Sequence, residues 1–287
     1  MKWREGALEG VGGLRLYRQA WVPDGEVRAV VVIVHGISEH SGRYHHVAAR
    51  LVADGYAVHA HDQRGHGRSE GPRAVIDRMD HAVEAADRLV EAAGSAHHGA
   101  PVVMLGHSVG GLVAVRYALV HGRRLTALAL SGPLAALEAA SPATRLGARV
   151  LSALTPRLGI VGVDSHLVSR DPEVVRAYES DPLVYHGKLP ARTVAELEGS
   201  VRTLPERVPA ITVPTLIMYG SADWLCPPAG SLMLNDRIGA ADRTLKVYDG
   251  LYHEIFNEPE RDRVLDDLSA WLRERVALSG AGGCRSV

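Results

Sequence analysis

The 287-residue sequence has few cysteines and no long apolar run, and both absences exclude classes of protein. Its two cysteines, Cys226 and Cys284, are too few for a disulfide framework and are typical of a reducing compartment. The strongest apolar run, residues 29–34, is far too short to span a bilayer. Because no apolar segment follows residues 1–6, we expect no signal peptide and a cytoplasmic or peripherally membrane-associated protein.

An excess of charge of either sign is also lacking, since 32 lysines and arginines face 33 aspartates and glutamates. A net charge of -1 gives no general attraction to nucleic acid, so we expect no nucleic-acid partner. With 46% apolar and 23% charged residues, the composition is that of a globular protein and excludes global disorder. The length predicts one large domain or two modest ones.

Short β-branched segments alternate along the chain with segments whose apolar residues repeat at helical spacing. Strands are predicted at residues 29–34, 56–61, 101–105, 125–130, 215–219 and 244–248. Helices are predicted at residues 43–54, 80–93, 109–120 and 260–276, with Gly55 ending the first of them. This alternation predicts a mostly parallel central sheet flanked by helices, and residues 14–22 predict an antiparallel edge strand.

Residues 133–208 interrupt the alternation, because they are rich in proline, look helical or loop-like and contain no strand run. The strand pattern resumes at Val213. We therefore predict a core of residues 1–132 and 209–277 with an inserted helical cap at 133–208. Such an insertion would lie over the sheet edge where α/β proteins bind ligands. Residues 278–287 are predicted to form a flexible tail.

The segment Gly106-His107-Ser108-Val109-Gly110 lies between a predicted strand and a predicted helix, which is the context of a nucleophile elbow. The turn is so tight that the two glycines remove side chains that would collide. It holds Ser108 at a strained backbone angle with its hydroxyl above the sheet edge. A chance match in a loop would lack the flanking strand and helix, so we predict that Ser108 is a nucleophile.

A serine nucleophile needs a base and an acid that orients the base, and on this fold the chain order is Ser, acid, His. His253 follows the last predicted strand, and Asp223 follows the strand before it. Asp249 is the rival acid, but it lies only four residues before His253 on the same loop. We predict Asp223 as the acid and His253 as the base.

An oxyanion hole needs two backbone N–H groups aimed at the developing negative charge. Val109, the residue after the nucleophile, is predicted to supply one of them. Ile37 follows the first core strand, and Gly36 before it allows the chain to bend so that the Ile37 N–H points inward. We predict the Ile37 and Val109 N–H groups as the two donors.

Two further patterns are weak. The glycines within residues 62–69 miss the spacing of a phosphate-binding loop, so we interpret this segment as a structural turn held by Asp62 and Arg64. The pairs His45-His46 and His97-His98 lack the spacing of metal ligands. We expect no metal site and no cofactor.

Several segments together resemble the monoacylglycerol lipases, most closely the bacterial members, and the resemblance extends from about residue 30 to residue 272. The segments are residues 35–44, 62–69, 106–111, 180–183, 220–223 and 248–254. The elbow and the turn are shared by many α/β hydrolases, whereas the H-G-x-x-E-H-x-x-R-Y pattern of residues 35–44 is more specific.

The resemblance implies an α/β-hydrolase fold with a cap and the hydrolysis of monoacylglycerols to glycerol and free fatty acid. It implies a triad of Ser108, Asp223 and His253. It also implies that Glu39, Arg43 and Tyr178 lie near the glycerol head group of the substrate. Mammalian members carry a second histidine three residues after the catalytic one, where this chain has Phe256.

Alternatives remain at this point. The same triad serves a broader carboxylesterase or a lysophospholipase, and a hydrolase fold can also act as a ligand receptor without turnover. Residues 145–158 mix arginines with apolar residues at near-helical spacing. This segment is expected either to contact lipid surfaces, with Arg145, Leu146 and Arg149 among its members, or to pack on the core as an ordinary cap helix.

Overall fold

The computed structural model describes residues 1–137, 147 and 150–282, and it describes side chains as far as Ala277. The strands are β1 Lys2–Glu9, β2 Arg15–Val22, β3 Ala29–Val34, β4 Tyr56–His61, β5 Val102–His107, β6 Ala127–Ser131, β7 Gly159–Val161, β8 Leu189–Pro190, β9 Thr215–Gly220 and β10 Arg243–Tyr248. Eight of them form one sheet in the order β1-β2-β4-β3-β5-β6-β9-β10. The pairs from β4 to β10 are parallel, and β2 pairs antiparallel with β1 and β4.

The α-helices lie between successive strands of this sheet, after its last strand and within residues 133–208. The α-helices with described bounds are α1 His45–Ala53, α2 Met79–Ala96, α3 Val109–His121, α4 Pro172–Ser180, α5 Ala191–Arg202, the short α6 Leu204–Arg207, α7 Pro228–Arg237 and α8 Arg261–Gly282, and residues 150–154 are helical as well. In the described part of the chain, none of the helices combines the length and the apolar character that a membrane crossing requires.

The central strands are buried on both faces, which explains why they appear in the sequence as unbroken apolar runs. Along β3, Val30, Val32 and Val34 pack with α2 and α3 on one face of the sheet. The alternate residues Val31 and Ile33 pack with α1 and α8 on the other face. The predicted mostly parallel sheet with helices on both faces is confirmed.

The antiparallel strand predicted at residues 14–22 is confirmed as β2, but its predicted place at the edge of the sheet is wrong, because β1 pairs with β2 along its whole length. Strand β1 is largely exposed and charged, so it lacks the apolar alternation that would have revealed it. The predicted end of α1 is confirmed. Gly55 has a φ of 90° and its N–H donates to the Val52 carbonyl at 2.9 Å.

The insertion lies between β6 and β9, which are parallel neighbours in the sheet. It contains α4, α5 and α6, but the expectation that it holds no strand is wrong, since β7 and β8 form a small antiparallel pair. These strands are three and two residues long, and β8 contains Pro190, so no alternating pattern could have marked them.

Helix α8 extends beyond the predicted end at residue 276 to Gly282. Cys284 and the rest of the predicted tail, residues 283–287, lie outside the described residues.

Candidate active site

The turn between β5 and α3 holds Ser108 at a φ of 55° and a ψ of -121°, a backbone conformation that costs energy for any residue except glycine. A Cβ atom on Gly106 would lie 2.5 Å from the Gly110 carbonyl oxygen. A Cβ atom on Gly110 would lie 2.1 Å from the Val34 carbonyl oxygen. Both distances are far inside van der Waals contact, so the Gly-x-Ser-x-Gly spacing is a requirement of the turn.

Asp223 follows β9 and His253 follows β10, and the structure brings the two side chains together. His253 Nδ1 lies 2.8 Å from Asp223 Oδ2, and both residues are buried. The other oxygen of Asp223 accepts the N–H groups of Leu225 and Cys226 at 3.0 and 2.8 Å. Asp249, the rival acid, instead accepts a hydrogen bond from the Ser221 hydroxyl at 3.0 Å.

Burial alone would lower the pKa of His253, but the Asp223 carboxylate outweighs it through its charge and its hydrogen bond. The pKa of His253 is therefore raised above the ordinary value for histidine. The neighbouring His107 has the opposite shift, because burial, together with the charge of His253, lowers its pKa to about 4. The two rings lie 4.7 Å apart, centroid to centroid. A neutral His107 therefore lies beside a histidine whose pKa is raised.

Ser108 and His253 line the same cavity, but Ser108 Oγ makes no hydrogen bond to His253 in this structure. Among the described residues, the hydrogen-bonding neighbour of Ser108 Oγ is the Cys226 sulfur at 3.7 Å. Burial and the nearby Asp223 carboxylate raise the pKa of the Cys226 thiol, which therefore stays neutral near pH 7. Hydrogen bonds between a nucleophile and its base are often long or poorly aligned before substrate binds, so the missing Ser108–His253 bond is compatible with their pairing during the reaction.

The two predicted oxyanion donors both belong to residues that line the cavity. A Cβ atom on Gly36 would lie 3.1 Å from the Ser108 Cβ, which shows how closely the loop after β3 approaches the nucleophile. Neither the Ile37 nor the Val109 N–H donates a hydrogen bond to any described residue. Both groups are therefore free to bind a substrate oxygen.

Glu39 holds this loop in place. Its Oε1 accepts the Gly36 N–H at 2.6 Å and the Tyr44 hydroxyl at 2.7 Å. Its Oε2 accepts a bond from Arg43 at 3.1 Å. Burial alone would raise the pKa of Glu39, but the charges of Arg43, His107 and His35 bring it down to about 2. The carboxylate is therefore ionised throughout the physiological range.

Arg43 connects Glu39 to the loop that carries the histidine. It donates two hydrogen bonds to Glu254, at 2.5 and 2.7 Å, and its guanidinium lies 4.9 Å from the centre of the Tyr178 ring. Burial alone would lower the pKa of Arg43, but Glu254 and Glu39 raise it. Of the three residues predicted near the head group, Glu39 and Tyr178 line the cavity, whereas Arg43 does not line it and contacts the other two.

The cavity above Ser108 has a volume of about 290 Å³ and mostly apolar walls. Most of its lining residues were missed from the sequence. The missed residues are His107, Leu134, Leu137, Val161, Gly162, Val163, Val168, Leu189, Val194, Leu197, Leu225, Cys226 and Glu254. The apolar members look like ordinary core residues in a sequence. Glu254 directly follows His253, and His107 directly precedes Ser108. This adjacency in the sequence was the signal that could have identified Glu254 and His107. Phe256 does not line this cavity and is buried on the α1 and α8 face of the sheet.

A mostly parallel sheet in this strand order, with a serine on a strained elbow and a histidine–aspartate pair after its last strands, defines an α/β hydrolase. The family model described as serine aminopeptidase, S33, matches residues 25–260. The chain is 46% identical over 269 residues to a monoacylglycerol lipase of Mycolicibacterium smegmatis, which covers 93% of this chain and 96% of that protein. It is 35% identical over 277 residues to human monoglyceride lipase, covering 95% of this chain and 91% of that protein.

Solved structures agree with the sequence relatives. The monoacylglycerol lipase of Paleococcus ferrophilus matches with a TM-score of 0.82 at 31% identity, over 91% of this chain and 99% of that one. A soluble variant of Saccharomyces cerevisiae monoglyceride lipase, solved with a substrate analogue, matches with a TM-score of 0.84 at 26% identity over 96% and 95%. The chain therefore belongs to the S33 hydrolase family and, within it, to the monoacylglycerol lipase family.

Proposed function

We propose that the protein hydrolyses monoacylglycerols to glycerol and free fatty acid through an acyl-enzyme on Ser108. The observation that carries the proposal is the position of Ser108, on a strained elbow at the floor of an apolar cavity that also contains His253. The names of the relatives from Mycolicibacterium smegmatis and human support the substrate class.

In the first step, Ser108 Oγ attacks the ester carbonyl while His253 Nε2 takes its proton. Asp223 holds the Nδ1 proton of His253 through the 2.8 Å contact and stabilises the imidazolium that forms. The carbonyl oxygen gains negative charge, which the Ile37 and Val109 N–H groups stabilise. The amino end of α3 adds a favourable dipole, because Val109 is its first residue.

In the second half of the reaction, His253 gives its proton to the glycerol oxygen, and glycerol leaves. A water molecule then attacks the acyl-enzyme, with His253 as the base that removes its proton. The collapse of this second intermediate returns the proton to Ser108 and releases the fatty acid. The neutral Cys226 thiol beside Ser108 takes no part in these transfers, because its raised pKa keeps the sulfur protonated.

The cavity offers different surroundings to the two ends of the substrate. Leu134, Leu197 and Leu225 are among the apolar side chains available to the acyl chain. The carboxylates of Glu39 and Glu254 are available as acceptors for the glycerol hydroxyls. A cavity of about 290 Å³ suits one acyl chain better than the three of a triacylglycerol. Arg43 contributes by holding both carboxylates.

Exposed apolar side chains of the insertion support a second part of the proposal, a peripheral contact of the protein with lipid surfaces. Several apolar side chains of residues 150–161 are exposed, and Leu154 is 76% exposed. Arg157 lies beside them in the sequence, so a basic group accompanies the apolar ones. Arg145, Leu146 and Arg149, which belong to the same predicted segment, lie outside the described residues.

Vesicle sedimentation tests this contact. We expect Val150→Ser/Leu154→Ser/Leu158→Ser to reduce the fraction of protein bound to lipid vesicles. The matched control is Val120→Ser/Val247→Ser, which removes exposed apolar side chains from α3 and β10 instead. Equal loss of binding in both variants, or no loss in the first, would remove the proposed lipid contact.

The substrate class is tested by kcat/KM on monoacylglycerols of increasing chain length, short p-nitrophenyl esters, lysophospholipids, and di- and triacylglycerols. We expect monoacylglycerols to be preferred. Equal or higher values for the short esters or lysophospholipids would favour the broader esterase. A fluorophosphonate probe tests turnover itself, since only an activated serine reacts quickly. Failure of the folded protein to react would favour a ligand receptor.

One variant tests where the acyl chain lies. Val194 on α5 lines the cavity, whereas the next residue, Ala195, lies on the outer side of the same helix. We expect Val194→Phe to lower kcat/KM for long-chain monoacylglycerols more than for short-chain esters. Ala195→Phe, which adds a ring of the same kind outside the cavity, should leave the chain-length profile unchanged. The same profile in both variants would place the acyl chain elsewhere.

A further inference from the structure

A second cavity, of about 470 Å³, lies on the side of α5 away from Ser108. Residues 192, 195, 196, 199 and 203 face it, and their spacing places them on one side of the helix. Four arginines from four places in the chain converge on it, and we call it the arginine groove. They are Arg78 before α2, Arg116 on α3, Arg192 on α5 and Arg207 on α6.

The positive charge of the arginine groove is only partly balanced. Asp80 is shared by Arg116 at 2.9 Å and Arg78 at 3.3 Å. Glu196 pairs with Arg192 at 3.1 Å. Arg207 forms no ion pair with any described residue, and the buried Arg116 Nε atom has no hydrogen-bond partner among them. Two carboxylates therefore face four guanidinium groups, in a chain whose overall charge is close to zero.

The amino end of α2 adds to this field. The helix has 18 residues, and the side chain of its N-cap residue, Arg78, makes no capping hydrogen bond. The N–H of Met79 donates to Glu196 at 3.2 Å, so an anionic oxygen already lies at this helix end. Backbone N–H groups and the helix dipole at such an end favour negative charge.

The walls of the groove indicate what kind of anion fits. Ser200 and Thr203 contribute hydroxyl groups, while Met79 and Ala195 are the main apolar members, too few to hold an acyl chain. Guanidinium groups bind tetrahedral oxyanions through paired hydrogen bonds. We propose that the arginine groove binds a phosphate group, carried either by a free phosphomonoester or by a lipid head group.

A bound phosphate would link the insertion to the core, because Arg192 and Arg207 belong to the former and Arg78 and Arg116 to the latter. Helix α5 would be the element held in place. Its other side carries Val194 and Leu197, which line the cavity above Ser108. The groove goes beyond the proposed hydrolysis and does not depend on it, because its test measures binding.

Isothermal titration calorimetry with inorganic phosphate tests the site. We expect Arg116→Gln/Arg207→Gln to weaken phosphate binding about tenfold or more, since two charged hydrogen-bond donors are lost. Arg207→Gln alone, at an exposed residue without an ion partner among the described residues, should weaken it in the same direction without risk to folding. The matched control is Arg123→Gln/Arg202→Gln, two exposed arginines outside the groove, which should bind like the native protein.

Two further arms distinguish the source of the phosphate. One titrates sn-glycerol 3-phosphate, and the other sediments the protein with phosphatidic acid–phosphatidylcholine vesicles. Groove-dependent binding of the soluble ester alone assigns a free phosphomonoester, and groove-dependent binding of the vesicles assigns a lipid head group. If the native protein and Arg116→Gln/Arg207→Gln bind inorganic phosphate, the ester and the vesicles equally, or neither binds any of them, the proposal is wrong.

Discussion

The guanidinium of Arg43 forms a two-bonded ion pair with Glu254, the residue directly after His253. The same guanidinium binds Glu39, whose other oxygen accepts the Gly36 N–H in the loop after β3. One buried cation therefore joins the loop after β3 to the loop after β10. The side chains of Arg43, Glu39 and Glu254 are 11%, 4% and 6% exposed, so their charges have little solvent to screen them.

Removing the cation should be costly. Arg43→Met leaves two buried carboxylates without their counter-charge, and we expect a loss of about 3–5 kcal/mol in the free energy of unfolding. Urea denaturation measures it. The control is Arg50→Met, which removes a more exposed pair with Asp54 and Asp266 and should cost about 1 kcal/mol or less. Equal losses in the two variants would contradict the role of Arg43.

The variant Asp223→Asn tests the proposed role of Asp223 as the acid that orients His253. The proposed mechanism needs neutral His253, so kcat/KM of the native enzyme should rise with pH through the pKa of His253, which lies above the ordinary 6.5. Without the carboxylate the pKa of His253 falls, so the acid limb should move to lower pH while the rate drops about 10³–10⁴-fold. Asp249→Asn, which alters the rival acid, should keep a near-native rate and profile. A similar loss in both variants would argue against Asp223.

Buried histidines should make the fold sensitive to acid. Burial lowers the pKa of His61 to about 4, and neither of its ring nitrogens has a hydrogen-bond partner among the described residues. The unfolded chain binds a proton near pH 6.5, so stability is full above that pH and falls as the pH drops below it. By pH 5 this one histidine should cost about 2 kcal/mol.

The variant His61→Leu measures this contribution. Its free energy of unfolding should change less between pH 7 and pH 5 than that of the native protein, by about 2 kcal/mol. His98→Leu, at an exposed position, should retain the native pH dependence. An unchanged slope in His61→Leu would show that His61 is not the group responsible.

Two glycine-to-alanine substitutions should change the stability of the fold in opposite directions. Gly110→Ala places a methyl group 2.1 Å from the Val34 carbonyl oxygen, so the elbow must distort, and both stability and hydrolysis should fall. Gly94→Ala, within α2 and with open space around the new atom, should raise stability by about 0.5–1 kcal/mol. Thermal unfolding measures both, and a native-like Gly110→Ala would show that the elbow can relax.

The sequence predicted the features that depend on local pattern. The unbroken apolar run of β3 predicted a strand buried on both faces, and the glycines around Ser108 predicted the turn that holds it. Strand β1 could not be predicted, because its side chains are mostly exposed and its partner β2 defines it. The link from Arg43 to Glu254 joins residues 211 positions apart, so only the folded chain brings them together. The arginines of the arginine groove also come from separate parts of the chain, so only folding brings them together.

Fatty-acid release by the native protein and by Ser108→Ala tests most directly whether Ser108 is the nucleophile for a monoacylglycerol ester. We expect the native protein to release fatty acid from a monoacylglycerol. We expect Ser108→Ala, with an unchanged circular dichroism spectrum and melting temperature, to lose nearly all of that activity. Release at the native rate by folded Ser108→Ala would show that Ser108 is not the nucleophile.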